Sequence, residues 1–138
     1  HFDEALALFE ELAAERFVSE AQARRAECLL FEGRHEEALA LAAEARESAR
    51  KSPVGGLEAL LERVIGLAHV QAHRPGEAPP HLEESLRIAR ELKAEFEVAL
   101  TLSAMATVGW EDAELLQAES DAILERLGVV LVPSVPLP

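Results

Sequence analysis

Apolar side chains recur along this chain at intervals of three and four residues, the spacing that lines them up on one face of an α-helix. From Asp3 to about Glu15 the stripe is Ala5, Leu6, Phe9, Leu12 and Ala13, which predicts a half-buried helix. Ser19 then offers an N-cap, with Gln22 three residues on to complete a capping box, and Ala23, Ala26, Leu29 and Leu30 carry a second helix to Gly33. From His35 to about Ala49 the stripe is Ala38, Leu39, Ala42 and Ala45, with a stop expected near Ser52-Pro53 and a flexible joint at Gly55-Gly56. Leu57 to His73 repeats the pattern through Leu60, Leu61, Val64, Ile65 and Ala68, with Gly66 in its middle. Arg74-Pro75-Gly76 breaks the chain, and Pro79 and Pro80 fit only the first turn of the following helix, about Ala78 to Leu92, whose stripe is Leu82, Leu86, Ile88, Ala89 and Leu92. Phe96 to about Val108 and Asp112 to about Leu127 make the last pair, separated by Gly109-Trp110-Glu111, with Gly128 as a C-cap. The prediction is all-α, with about seven helices.

Tight turns such as Gly33-Arg34 fold these helices into antiparallel hairpins, and small residues mark where the helices cross. Ala26 lies seven residues before Gly33, while Ala38, Ala42 and Ala45 follow it. Ala5, Ala38 and Ala78 hold like places in successive second helices, 33 and 40 residues apart, and Ala26, Gly66 and Ala104 do so in first helices, 40 and 38 apart. A glycine inside a helix costs about 1 kcal/mol relative to alanine, so Gly66 predicts a neighbouring backbone at close range.

This arrangement resembles the tetratricopeptide (TPR) repeat over nearly the whole chain to Gly128. Ala26 with Ala38 and Ala45, and Gly66 with Ala78, match the family's small crossing residues; Ala104 with Leu116 matches less well, and the third repeat is degenerate. The family's usual tyrosine position holds Leu29 in one repeat and His69 in the next. The resemblance implies hairpins stacked as a short right-handed superhelix, a concave face lined by first helices, and a role in protein recognition. Aligned on Ala26, Gly66 and Ala104, the concave, candidate protein-binding positions are Ala23, Glu27 and Leu30, then Arg63, Leu67 and Val70, then Thr101, Met105 and Val108. Some members hold a peptide's terminal carboxylate with a lysine and asparagine clamp. This chain has no asparagine, so the implied ligand is an apolar segment, extended or helical, anchored by a few side chains. The 38 to 40 residue spacing, the segment Leu82 to Leu92 and the ending Leu127-Gly128-Val129-Val130 further resemble the C-terminal helical repeats of large bacterial signalling proteins. In those, a nucleotide-binding switch joins a cyclase or DNA-binding output, and the repeats are implied to sense a partner or restrain the switch. Eleven arginines against two lysines, with 25 alanines, suit a GC-rich bacterial source. The chain opens inside a helical pattern without methionine and reads as part of a longer protein.

Charge narrows the partner. The formal net charge is −13, and Glu95 to Glu125 holds eight acidic residues with no lysine or arginine, so nucleic acid and anionic membranes are repelled. No apolar run reaches membrane-spanning length. The single cysteine forms no internal disulfide, which fits the reducing cytoplasm. His69 and His73, at i and i+4, with His81 across the loop, are the one candidate metal set. His69 falls at the aromatic packing position and His73 at a helix end, where its charge favours the dipole, and no HExxH or cysteine pair accompanies them, so no metal or other cofactor is expected. Cys28, beside an apolar stripe, reads as an inert buried thiol. Glu36-Glu37 and Glu83-Glu84 read as solvated helix faces. With no phosphate loop and no GxSxG, catalysis is not expected.

Residues 129–138 stand apart from the repeats at 1–128. Nine of these ten residues are apolar, and Pro133, Pro136 and Pro138 forbid a regular helix. Burying such side chains is worth about 1.5–3 kcal/mol each, so Val129–Pro133 is expected to be extended and docked on the repeats of its own or another copy. Pro133 and Pro136 also match a short polyproline motif. The functional expectation is a non-catalytic binding and regulatory module of a larger signalling protein, with a protein, a peptide or another domain of its own chain as partner. The alternatives are an oligomerisation element, homodimeric through a terminal helix or the tail, and a small-molecule sensor with Arg63 beside an apolar wall.

Overall fold

A computed structural model describes residues 2–51, 57–130 and 132–138. Six α-helices follow in order: α1 (Phe2–Phe31), α2 (His35–Lys51), α3 (Leu57–Gln71), α4 (Ala78–Glu91), α5 (Glu95–Thr107) and α6 (Ala113–Leu127), with a 3-10 turn at Pro75–Glu77 before α4. No strand occurs among the described residues, and the all-α reading holds. The count falls one short of seven because the two stretches expected to break at Ser19 run together as one helix of 30 residues. Neither proline nor glycine occurs between Phe2 and Phe31, so nothing in that span interrupts the i to i−4 hydrogen bonding of the helix. Ser19 is therefore no cap; it sits inside α1, 8% exposed. The expected joint at Gly55-Gly56 lies outside the described residues.

Five helices end in the same way. Each closing turn pairs two backbone N–H groups with carbonyls of the last turn: Gly33 to Leu30 and Arg34 to Leu29 after α1, His73 to Val70 and Arg74 to His69 after α3, Lys93 to Arg90 and Ala94 to Ala89 after α4. Gly109 and Trp110 repeat it after α5, Gly128 and Val129 after α6. This double bond satisfies carbonyls a helix end leaves open, and it requires a left-handed residue at the first of the two positions. Gly33, Gly109 and Gly128 supply it, and His73 and Lys93 adopt it at φ 62° and 56° without being glycine. His73 is thus a turn residue, which removes it from the helix face it was expected to share with His69. Pro79 and Pro80 occupy the first turn of α4, as anticipated.

Helices α1 with α2, α3 with α4 and α5 with α6 form hairpins, and α2 on α3 and α4 on α5 join them. First helices also touch one another, α1 on α3 and α3 on α5, whereas second helices do not. That layering puts α3 at the centre: 11 of its 15 residues are buried. Small residues set the spacing. Ala26, Ala38, Ala42 and Ala45 are all at 0% exposure between α1 and α2. At Gly66 an added Cβ would lie 3.2 Å from Leu82 and 3.4 Å from the Ala78 carbonyl oxygen, so the close approach predicted there exists.

The third hairpin crosses differently from the expected Ala104–Leu116 pairing. Counted back from the left-handed turn, Ala26, Gly66 and Leu102 each stand seven residues before Gly33, His73 and Gly109. A leucine stands at that place, and the two helices also meet at the Ser120 hydroxyl, which donates to the Ala99 carbonyl at 2.7 Å, both residues at 0% exposure. The equivalent serine of the hairpin before, Ser85, donates to the Ala59 carbonyl at 2.7 Å.

One expected burial fails. Leu6, Phe9 and Leu12 were read as a half-buried stripe, yet they are 50%, 71% and 43% exposed. Helix α2 has 17 residues against 30 in α1, so it covers only the later half of its partner. The stripe is also turned roughly a quarter-turn from the buried face at Ala23, Ala26 and Leu30, so one straight helix cannot aim both at α2.

Gly66→Leu should force α3 and α4 apart and lower the unfolding free energy by about 2–3 kcal/mol, as measured by urea denaturation. A loss under about 0.5 kcal/mol would show that the crossing is not tight.

Candidate functional site

The first helices and α6 enclose a groove of about 640 Å³. Leu30 of α1, Arg63 and Leu67 of α3, Leu100 of α5 and Leu124 of α6 contribute walls, and Glu27, Asp121 and Glu125 make its rim acidic. The groove is shared with the chain's own tail. Val132, Pro133, Val135 and Leu137 also line it, and Val135 and Leu137 pack against the core. The two that pack on the core stand two residues apart, with Pro136 between them.

The tail is held by Gln71, the last residue of α3, 7% exposed. Its Nε2 donates to the Leu30 carbonyl at 2.7 Å and to the Pro136 carbonyl at 2.9 Å. The side-chain amide thus ties α1, α3 and the tail together at one point, while its Oε1 is buried without a partner. The bond to Pro136 falls between Val135 and Leu137, which line the groove, while Gln71 and Pro136 themselves do not. These contacts lie further along than the Val129–Pro133 stretch singled out from sequence, where Val130 is 98% exposed.

Arg63 is the buried charged residue of the groove, 5% exposed, where Arg24, Glu27, Asp121 and Glu125 stand less buried. Nη1 donates to Glu97 at 2.7 Å and to the Thr101 hydroxyl at 3.3 Å, and Thr101 in turn bonds Ser85 at 2.9 Å. A buried charge of this kind needs its partner, because desolvation otherwise outweighs any gain. Nη2 is buried without a partner.

Four of the nine residues expected on the concave face, Glu27, Leu30, Arg63 and Leu67, line this groove. Ala23, Thr101 and Met105, at 0%, 0% and 3% exposure, pack between helices, and Val70 and Val108 are half-buried against the core. Gln71 was missed although it stands four residues after Leu67 and so on the same helix face. The wall from α6 was missed because register arguments confined the concave face to first helices.

Outside the groove, Glu62 of α3 is buried, accepts from Arg46 of α2 at 3.2 Å, and lies 2.8 Å from Nδ1 of His81 in α4. The His81 ring stacks on His69, centroids 5.6 Å apart. His69 Nδ1 lies 3.3 Å from both Arg74 Nε and a Glu77 carboxylate oxygen. Burial pushes the His69 imidazole below its ordinary value, with Glu77 opposing and Arg74 and His81 adding to the fall. Among the described residues no group of three or more metal-ligating side chains occurs. Cys28 is exposed, not buried as expected: it projects from α1 on the side away from Ala26, Leu29 and Leu30.

The family model for the tetratricopeptide repeat matches residues 17–91, more than half of the chain. The matched span begins where the buried face of α1 begins and ends with α4, so it takes in the first two hairpins. No curated protein and no solved structure matches the chain.

Because His69 is depressed in the folded state, the unfolded chain protonates first as pH falls through about 6.5, and folding stability is lost from that point downward. Urea denaturation at pH 7.5 and 5.5 should show a smaller loss for His69→Gln than for the parent chain. Equal losses would remove His69 as the cause.

Proposed function

We propose that this chain, which belongs to the tetratricopeptide repeat family, is a non-catalytic protein-interaction module that holds an extended apolar segment in the groove between its first helices and α6. Repeats of this family generally serve protein–protein interaction and are typically non-catalytic scaffolds. One observation carries the reading: an extended, proline-bearing segment lies along the groove, with its main chain bonded to Gln71 and alternate apolar side chains turned inward. The acidic rim and net charge of −13 favour a polypeptide over nucleic acid or an anionic membrane. No helix among the described residues is long and apolar enough to cross a membrane. Of the nine candidate positions, Glu27, Leu30, Arg63 and Leu67 meet the ligand in this reading, while Ala23, Val70, Thr101, Met105 and Val108 set the groove's shape from behind. A small anionic ligand is disfavoured, because the Arg63 guanidinium is already matched by Glu97. The likeness of Leu82–Leu92 and Leu127–Val130 to bacterial signalling repeats supports a regulatory place in a larger cytoplasmic protein, with another domain of that protein as one partner.

A second reading, self-association, is favoured by one observation. The first half of α1 exposes Phe2, Phe9 and Phe17 by 82%, 71% and 74%, more aromatic surface than a free helix face ordinarily leaves in water.

Titration with an extended apolar peptide of about ten residues should shift amide resonances of Leu30, Leu67 and Leu124 while leaving Leu86 of α4 in place. Shifts spread over α2 and α4, or none at millimolar peptide, would refute groove binding. Sedimentation across micromolar to millimolar protein reads the second possibility: a dimer that Phe9→Glu dissolves supports it, and a monomer throughout removes it.

A further inference from the structure

The tail is an imperfect fit to the place it occupies, and the misfit is specific. Gln71 offers a donor and an acceptor side by side, and in an extended strand the N–H and C=O of one residue point the same way. The Gln71 amide can therefore meet one residue's main chain at both atoms. In the tail that residue is Pro136, which has a carbonyl for Nε2 and no N–H for Oε1. Gln71 Oε1 is left buried and unpartnered beside Pro136, as is Nη2 of Arg63, whose residue lines the groove. A buried polar atom without a partner weakens whatever occupant leaves it so. Val135 and Leu137, the residues on either side, are the ones that pack into the core.

We propose that the tail is a displaceable occupant of the groove, and that the partner in trans is an extended peptide with apolar side chains two residues apart and a residue other than proline between them. Its main chain would pair with both atoms of the Gln71 amide, the match the tail lacks. A neutral main-chain carbonyl of the same peptide is the acceptor suited to Arg63 Nη2, since Glu97 already matches its charge. The tail then sets a threshold, since only peptides that bind better than it does open the site. The inference rests on reading the groove as a peptide site.

The probe is a fluorescein-labelled peptide of residues 129–138 carrying Pro136→Ala, followed by anisotropy. It should bind the chain bearing Val135→Asp and Leu137→Asp about tenfold more tightly than the unaltered chain, because the altered tail no longer competes. Adding Gln71→Leu to that variant should weaken the probe about threefold to tenfold. Equal affinity for the unaltered and the double-aspartate chains would overturn the displacement while leaving a peptide groove standing. Binding to neither would overturn the groove reading itself. In case the double variant does not fold, the unaltered chain is compared with one whose own tail carries Pro136→Ala. Its tail should hold more firmly and the probe bind more weakly, and unchanged or stronger binding overturns the proposal.

Discussion

The structure depends on how closely other helices can approach α3. That helix is buried over most of its length, in contact with α1, α2, α4 and α5, and room for it exists because the residues at the crossings are small. Gly66 brings Leu82 and the Ala78 backbone to within the reach of a missing Cβ. In the preceding hairpin four fully buried alanines do the same work, and in the last one, where Leu102 stands at the Gly66 place, Ser120 bonds the Ala99 carbonyl as Ser85 bonds that of Ala59. Close packing of this kind gains dispersion contacts but leaves no slack, so each crossing is sensitive to a single added methylene.

A helix so enclosed cannot leave its polar side chains to water. Three polar residues of α3 are buried, Glu62, Arg63 and Gln71, and each is answered by a different neighbour. Glu62 faces Arg46 and His81, Arg63 faces Glu97 and Thr101, and Gln71 faces the α1 carbonyl at Leu30 and the tail. Enclosure therefore fixes not only packing but chemistry, because two buried polar atoms without partners, Arg63 Nη2 and Gln71 Oε1, belong to side chains of α3.

The two ends of the array contrast. At the C-terminal end an apolar segment folds back and packs Val135 and Leu137 on the core beside the groove. At the N-terminal end the first half of α1 runs beyond α2 and keeps its phenylalanines in solvent. Apolar surface of both kinds is present in the chain, and only one of them finds cover among the described residues.

Much of the architecture was legible as periodicity. The stripes at Ala23 to Leu30, Ala38 to Ala45 and Leu60 to Ala68, the glycine at a close crossing and the prolines in a first turn are local facts, dictated by helix geometry and backbone sterics. The turns at Gly33, Gly109 and Gly128 are of the same kind. The merging of two helices through Ser19, the left-handed His73 and the exposure of Cys28 are local too, though they run against the usual signals of cap, glycine and apolar side chain. The exposed stripe of α1 had the right period but no partner. Gln71 was invisible for the complementary reason, since its role arises only when residues 65 positions away return to meet it. The sequence by itself determined which segments are helices and which faces are apolar, because those follow from neighbours three and four residues apart; the tertiary structure alone decided which faces meet, because that is set by chain segments far apart competing for the same surface.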